Sequence, residues 1–232
     1  MKTIFTLLIG FLTFSISAQD ATVLLDKVVA RMNSVKDYSV DAHIKADIPL
    51  IKVLPVNATL YFKQKDKFKV VSKGIAILPK QGFTDVNALL AKKNSYMAVD
   101  GGTKQIGGVN ANLVTVIPTV ENSEFVLAKL WIDPKKEVIL QSEITTRSSG
   151  TVLVDYKYGD QIEFGLPSTI TFTVDVKKFK MPKSVAADMH NTDDKAKKKD
   201  ERKNGTIIIT LSDYKVNKGI SDDFFKDVKK KD

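Results

Sequence analysis

The chain has 232 residues, no cysteine, 27% charged residues and a formal net charge of +9. That length suits one large β-type domain or two small ones with a sizeable core, and 43% hydrophobic residues amid so much charge excludes a polytopic membrane protein and a wholly disordered chain. Without cysteine there is no disulfide scaffold, thiolate metal site, cysteine nucleophile or lipidated N-terminal cysteine, and two histidines leave little for a histidine metal centre or a triad.

Lys2 is the only charge before Asp20, and the run Ile4–Phe14 between them is apolar apart from Thr6, Gly10 and Thr13. It ends in Ser15-Ile16-Ser17-Ala18. A basic start, a short apolar run and small residues at its end make a secretory signal peptide. A membrane anchor needs about 20 apolar residues, more than this run supplies. Residues 1–18 are therefore predicted to be removed, leaving residues 19–232 as a single soluble, exported domain held together by packing alone.

Residues 21–36 place Leu24, Val28, Met32 and Val35 at helical spacing, with Leu25 and Val29 widening the stripe. Asp26, Lys27, Arg31 and Lys36 face away, so the pattern predicts one amphipathic helix. After Asp37 the period changes to two. Val40, Ala42, Ile44, Ala46 and Ile48 alternate with Ser39, Asp41, His43, Lys45 and Asp47, the signature of a half-buried antiparallel strand. Strand-like runs follow at Val56–Lys63, from Phe68, at Ser95–Val99, Asn112–Ile117, Phe125–Ile132, Val138–Thr145, Thr151–Tyr158, Thr169–Val176 and Thr206–Tyr214. Turn residues at Gly101-Gly102, Gly107-Gly108, Asp133-Pro134, Ser149-Gly150, Gly159-Asp160 and Leu166-Pro167 are read as separating these runs. Roughly ten strands at short spacing predict an all-β meander closing into a barrel or deep half-barrel.

Two apolar connections break the pattern. Residues 74–92 carry Pro79, Gly82 and a short helical piece around Asp85–Leu90, and residues 181–189 begin another amphipathic piece after Pro182. Long connections of this kind form lids and binding loops, or simply cover core. Residues 193–204 are a charged, low-complexity stretch predicted to be solvated and mobile, and Lys229-Lys230-Lys231 is similar.

The sequence carries no nucleophile elbow, phosphate-binding loop, zinc-protease motif or EF-hand spacing. His43 falls on the polar phase of its strand and His190 beside a charged loop, which makes both surface histidines. No carboxylate pair can be given acid and base roles. A binding protein without cofactor or metal is predicted rather than an enzyme. Export argues against a nucleic-acid partner, and the lysines (Lys45, Lys157 and Lys177 among them) are spread over outward positions, leaving brief contact with an anionic surface open. The positive signal is spare apolar surface. Phe125–Ile132 is apolar on both faces, and the connections add Ile75, Ile77, Leu78, Phe83, Leu89, Leu90, Val185 and Met189. A barrel of this size either fills itself with side chains or encloses a cavity suited to acyl chains.

The opening helix followed by Asp37-Tyr38, then Leu60-Tyr61-Phe62-Lys63-Gln64 with Phe68, then Trp131-Ile132-Asp133-Pro134, Ser149-Gly150 and Gly165-Leu166-Pro167 stand in a telling order. The closing stretch runs through Leu211-Ser212-Asp213-Tyr214, Asn217, Gly219-Ile220 and Asp222-Asp223-Phe224-Phe225. This order resembles the LolA/LolB superfamily of periplasmic lipoprotein carriers, and more closely its outer membrane lipoprotein-sorting branch. The resemblance implies a mainly β, unclosed antiparallel β-barrel of roughly ten to eleven strands, with an N-terminal helix and a helical lid over an apolar cavity. It also implies a monomeric periplasmic chaperone without a cofactor. Such a carrier takes a lipoprotein from an inner-membrane ABC transporter, shields its acyl chains and hands it to an outer-membrane acceptor. Phase and apolarity nominate Val40, Ala42, Leu60, Phe62, Ile77, Leu78, Phe83, Leu90, Leu130, Trp131 and Phe172 as cavity or lid contacts. Where family carriers have a basic residue that fastens the lid, this chain has Gln64, which brings no charge. A sensing module that binds a protein, or a general lipid carrier on the same scaffold, are the alternatives.

Overall fold

Helix α1 (Ser17–Ser34) opens the computed structural model, which describes residues 17–49, 53–65, 67–74, 89–147, 150–175 and 204–226. The signal-peptide reading, apart from Ser17 and Ala18, lies outside these residues, as do Ile77, Leu78, Phe83, the segment 181–189 and nearly all of the charged stretch 193–204. Among the described residues no helix is long and apolar enough to cross a membrane.

Among the described residues ten strands follow: β1 (Asp37–Asp47), β2 (Val56–Lys63), β3 (Lys67–Ser72), β4 (Tyr96–Ile106), β5 (Val109–Pro118), β6 (Phe125–Asp133), β7 (Val138–Thr146), β8 (Gly150–Tyr158), β9 (Pro167–Asp175) and β10 (Asn204–Val216). They form one antiparallel sheet in the order β3-β2-β1-β10-β9-β8-β7-β6-β5-β4. Its two ends, β3 and β4, are not paired with one another, so the barrel is unclosed. Strand β10 alone joins the three-stranded meander β1–β3 to the six-stranded meander β4–β9.

The period-two pattern of β1 decides which face is inside. Val40, Ala42 and Ile44 are buried and their neighbours Asp41, His43 and Lys45 are exposed. Register carries that phase across the sheet: Val40 stands opposite Leu60, Ala42 opposite Ala58 and Leu211, and Ile44 opposite Ile209. Helix α1 crosses this inner face with Leu24, Leu25 and Val28 buried against it. A Lys93–Asp26 ion pair of 2.7 Å ties its middle to the turn that precedes β4.

Gly101-Gly102 is a correction. The pair lies within β4, where the register with β5 slips between Asp100 and Thr103. Gly102 takes φ 86°, and a Cβ on Gly101 would stand 2.5 Å from Leu113. Two adjacent glycines mark either a turn or a bulge, and only the long partner strand decides for the bulge.

Candidate functional site

The inner face has two parts. In the first, Leu60, Leu130, Phe172, Ile207 and Ile209 have no exposed surface at all, and Val40, Ala42 and Leu90 join them in one core cluster. Leu130 faces Val114 and Ser142 across the register, and Phe172 faces Val154 and Ile207. Six of the residues nominated as cavity or lid contacts, Val40, Ala42, Leu60, Leu90, Leu130 and Phe172, meet here as packed core and do not line the rim cavity described next.

Trp131 does not join them. It sits on the opposite phase of β6, opposite Leu113 and Gln141, with Lys104 Nζ 4.8 Å above its ring. A strand apolar on both faces gave no phase, and a cation over the indole now covers the outward ring.

The second part lies at the rim where β1, β7 and β9 begin and β2, β8 and β10 end. Phe62 stacks on Tyr38 at 5.2 Å, and Tyr214 meets Tyr38 edge-on at 5.7 Å. Tyr156 and Tyr158 come from β8 on the same side. Together with Met32, Val35, Ile170 and Leu211 these rings enclose a cavity of about 120 Å³ beneath the last turns of α1. The tyrosines were absent from the predicted site, although Tyr156 and Tyr158 share one strand phase and Tyr38 shares that of Val40.

Their hydroxyls are largely spoken for. Tyr158 donates to the Ile139 carbonyl and Tyr214 to the Pro167 carbonyl, each at 2.8 Å, and Tyr156 shares a 3.1 Å bond with Ser142 Oγ. Burial disfavours the phenolates: Tyr156 is pushed up to about 12, and Tyr38, Tyr158 and Tyr214 are pushed up as well. The rim therefore presents neutral phenols at physiological pH.

The last four carbonyls of α1, the groups that a helix end leaves without an internal partner, are all satisfied, two of them locally and two by side chains of the rim. Ser34 Oγ donates to Arg31 O and the Val35 amide to Met32 O. Gln64 Nε2 donates to Asn33 O at 2.8 Å and Asn217 Nδ2 to Ser34 O at 3.2 Å. Gln64 thus holds the helix end, and it needs no charge to do so. Asp37, buried, accepts from the Lys218 and Gly219 amides and fixes the chain that leaves β10.

Arg31 departs from the outward position its helical phase predicted. It lies along the cavity wall, with Nη1 donating to Glu163 O at 2.8 Å and Nη2 to Glu137 Oε2 at 3.1 Å. Lys27 pairs with the other Glu137 oxygen at 3.2 Å. Hydrogen bonds from both cations, Lys27 first, hold the Glu137 carboxyl below its usual range. Nothing in this arrangement resembles a nucleophile with its base, and among the described residues no group of acidic or histidine side chains could hold a metal ion.

No family model matches the chain, and no curated protein matches it in sequence. Solved structures do. A putative outer membrane lipoprotein-sorting protein domain from Vibrio parahaemolyticus matches with TM-score 0.59 at 10% identity, over 90% of this chain and 97% of that one. A LolA superfamily protein from Nitrosomonas europaea matches with TM-score 0.57 at 11% identity, over 92% and 99%. A DUF1329 family protein from Desulfovibrio piger matches with TM-score 0.58 at 11% identity, over 91% and 98%. Helix, unclosed sheet and strand succession together give this chain the LolA-like fold.

Proposed function

We propose that this protein is exported to the periplasm and carries lipid there, shielding the acyl chains of a lipoprotein on the inner face of its sheet and delivering them toward the outer membrane. The observation that carries the reading is the cavity on the inner face: a largely apolar, ring-walled space under the end of a helix, with no reactive set of side chains beside it among the described residues. Each methylene moved from water into such a site is worth about 0.8 kcal/mol. Release then requires a downhill acceptor, because no nucleotide motif is present to drive it. An inner-membrane ABC transporter as donor and an outer-membrane acceptor would complete the route, with the carrier acting as a monomer.

The size of the cavity favours a second reading. At about 120 Å³ it is well below the roughly 300–1,000 Å³ of sites that engulf a large ligand. It suits part of one hydrocarbon chain better than several, as in a general carrier of single-chain lipids. Native mass spectrometry of the mature protein taken from its own periplasm, followed by organic extraction, separates the two. A bound lipoprotein or acylated peptide supports the first reading, and a single-chain lipid supports the second. A protein that is empty and captures no acylated molecule when challenged defeats both.

A further inference from the structure

Arg31 has an unfinished hydrogen-bond set. Of the guanidinium's donors, Nη1 serves Glu163 O and Nη2 serves Glu137, but Nε is buried and has no partner among the described residues. Charge at this point is also unbalanced. Glu137 is a single carboxylate shared between Lys27 and Arg31, so the trio carries one net positive charge at the cavity wall. The wall beside it is hydrocarbon and ring: Val28, Met32, Phe62, Ile170 and Leu211. The site therefore pairs a narrow apolar slot with an under-used cation.

Resting on the lipid-carrier reading, we propose that this slot selects a single-chain amphiphile with an anionic oxygen head, the chain lying among the aromatic rings and the carboxylate or phosphate oxygen accepting from Arg31 Nε. An alcohol or ester would also accept from the cation, but only an ionised head adds charge–charge attraction to that hydrogen bond, so it outcompetes the neutral heads. Glu137 already occupies one edge of the guanidinium and therefore competes with the ligand. Removing its charge should strengthen anion binding, whereas removing the charge of Arg31 should abolish the preference. A merely structural ion pair would weaken binding of every ligand in both variants.

The test uses the mature chain and three probes of equal chain length, dodecanoate, dodecyl phosphate and dodecanol, in calorimetric titrations below their aggregation concentrations. The expected result is that at least one anion binds about tenfold tighter than the alcohol. Arg31→Gln should bring the three within about twofold while retaining chain binding, and Glu137→Gln should widen the anionic preference. Which anion is favoured tells a carboxylate head from a phosphate one. Equal binding of all three probes by the parent protein, or an anionic preference that survives Arg31→Gln, would overturn the head site and leave the carrier reading intact. Failure of every probe, with circular dichroism showing a folded protein, would overturn the head site and the single-chain reading together, while lipoprotein capture tests the carrier independently.

Discussion

The aliphatic and the tyrosine-lined parts of the inner face share several strands, yet the fully buried aliphatic side chains leave no surface while the tyrosines border open space. Leu60, Leu130, Phe172, Ile207 and Ile209 carry no polar atoms in their side chains, so nothing stops them from collapsing onto one another until no surface is left. Tyr158, Tyr214 and Tyr156 each have a hydroxyl that must reach a partner, and they find it at Ile139 O, Pro167 O and Ser142 Oγ. A ring anchored at its far end cannot slide inward to fill a gap. The difference teaches that space in a protein interior persists where polar obligations fix the walls, and disappears where only dispersion acts.

That contrast can be broken most directly in the aliphatic part. Phe172→Ala should cost about 3–5 kcal/mol in urea unfolding, because the cavity it leaves adds to the lost burial. Tyr158→Phe should cost less, about 1–3 kcal/mol, by removing the buried bond to the Ile139 carbonyl. If the two costs are equal, the two parts do not differ in the way described. Alkali sharpens the comparison, since it titrates the tyrosine-lined part alone. Tyr156 loses its proton near pH 10 when unfolded and at about 12 when folded, so the unfolded chain binds fewer protons between those values. The contribution of Tyr156 should therefore be constant below pH 10 and fall as pH rises toward 12, and Tyr156→Phe should flatten the fall in urea midpoints measured across this range.

Smaller effects are expected at the fastenings. Gln64→Ala should cost about 1 kcal/mol by freeing the Asn33 carbonyl, and should raise hydrogen exchange in the last turn of α1 before any other segment. At the outer edge Lys63 and Lys67 both pair with Asp222, whose carboxyl these bonds pull down to about 2. A depressed carboxylate stabilises above its unfolded value and loses that contribution on acidification. The difference between Asp222→Asn and the parent should thus persist at neutral pH and vanish as pH falls from about 4 toward 2.

Much of this was legible in the residues. The alternation in β1 named Val40 and Ala42 as inward, and register then carried Leu60 with them. The ten runs became ten strands because Val, Ile, Thr and aromatic residues alternate with charge between recognisable turns. Trp131 was not legible, because Leu130, Trp131 and Ile132 are all apolar and the outward cover comes from Lys104, a residue of another strand. The tyrosines escaped for the opposite reason. A side chain with an apolar body and a polar tip satisfies either face of a strand, and Tyr156, Tyr158 and Tyr214 are held inside by partners 14, 19 and 47 residues away in the chain. Arg31 was misplaced in the same way: its helical phase pointed outward, but Glu137 and Glu163 reach it from far along the sequence.

The central position of β10 has a consequence for how the molecule comes into being. The first and last strands pair with each other, and Asp37 and Lys218, which touch, stand 181 residues apart in the chain. Until the end of the polypeptide has been made, the early meander and the later one have no strand between them, and each presents a bare edge. Contacts of such high sequence separation form slowly, because the closure entropy is lost before the pairing repays it. A nascent chain of this design stays loose until β10 is available, and it needs protection from aggregation until that strand slots into place.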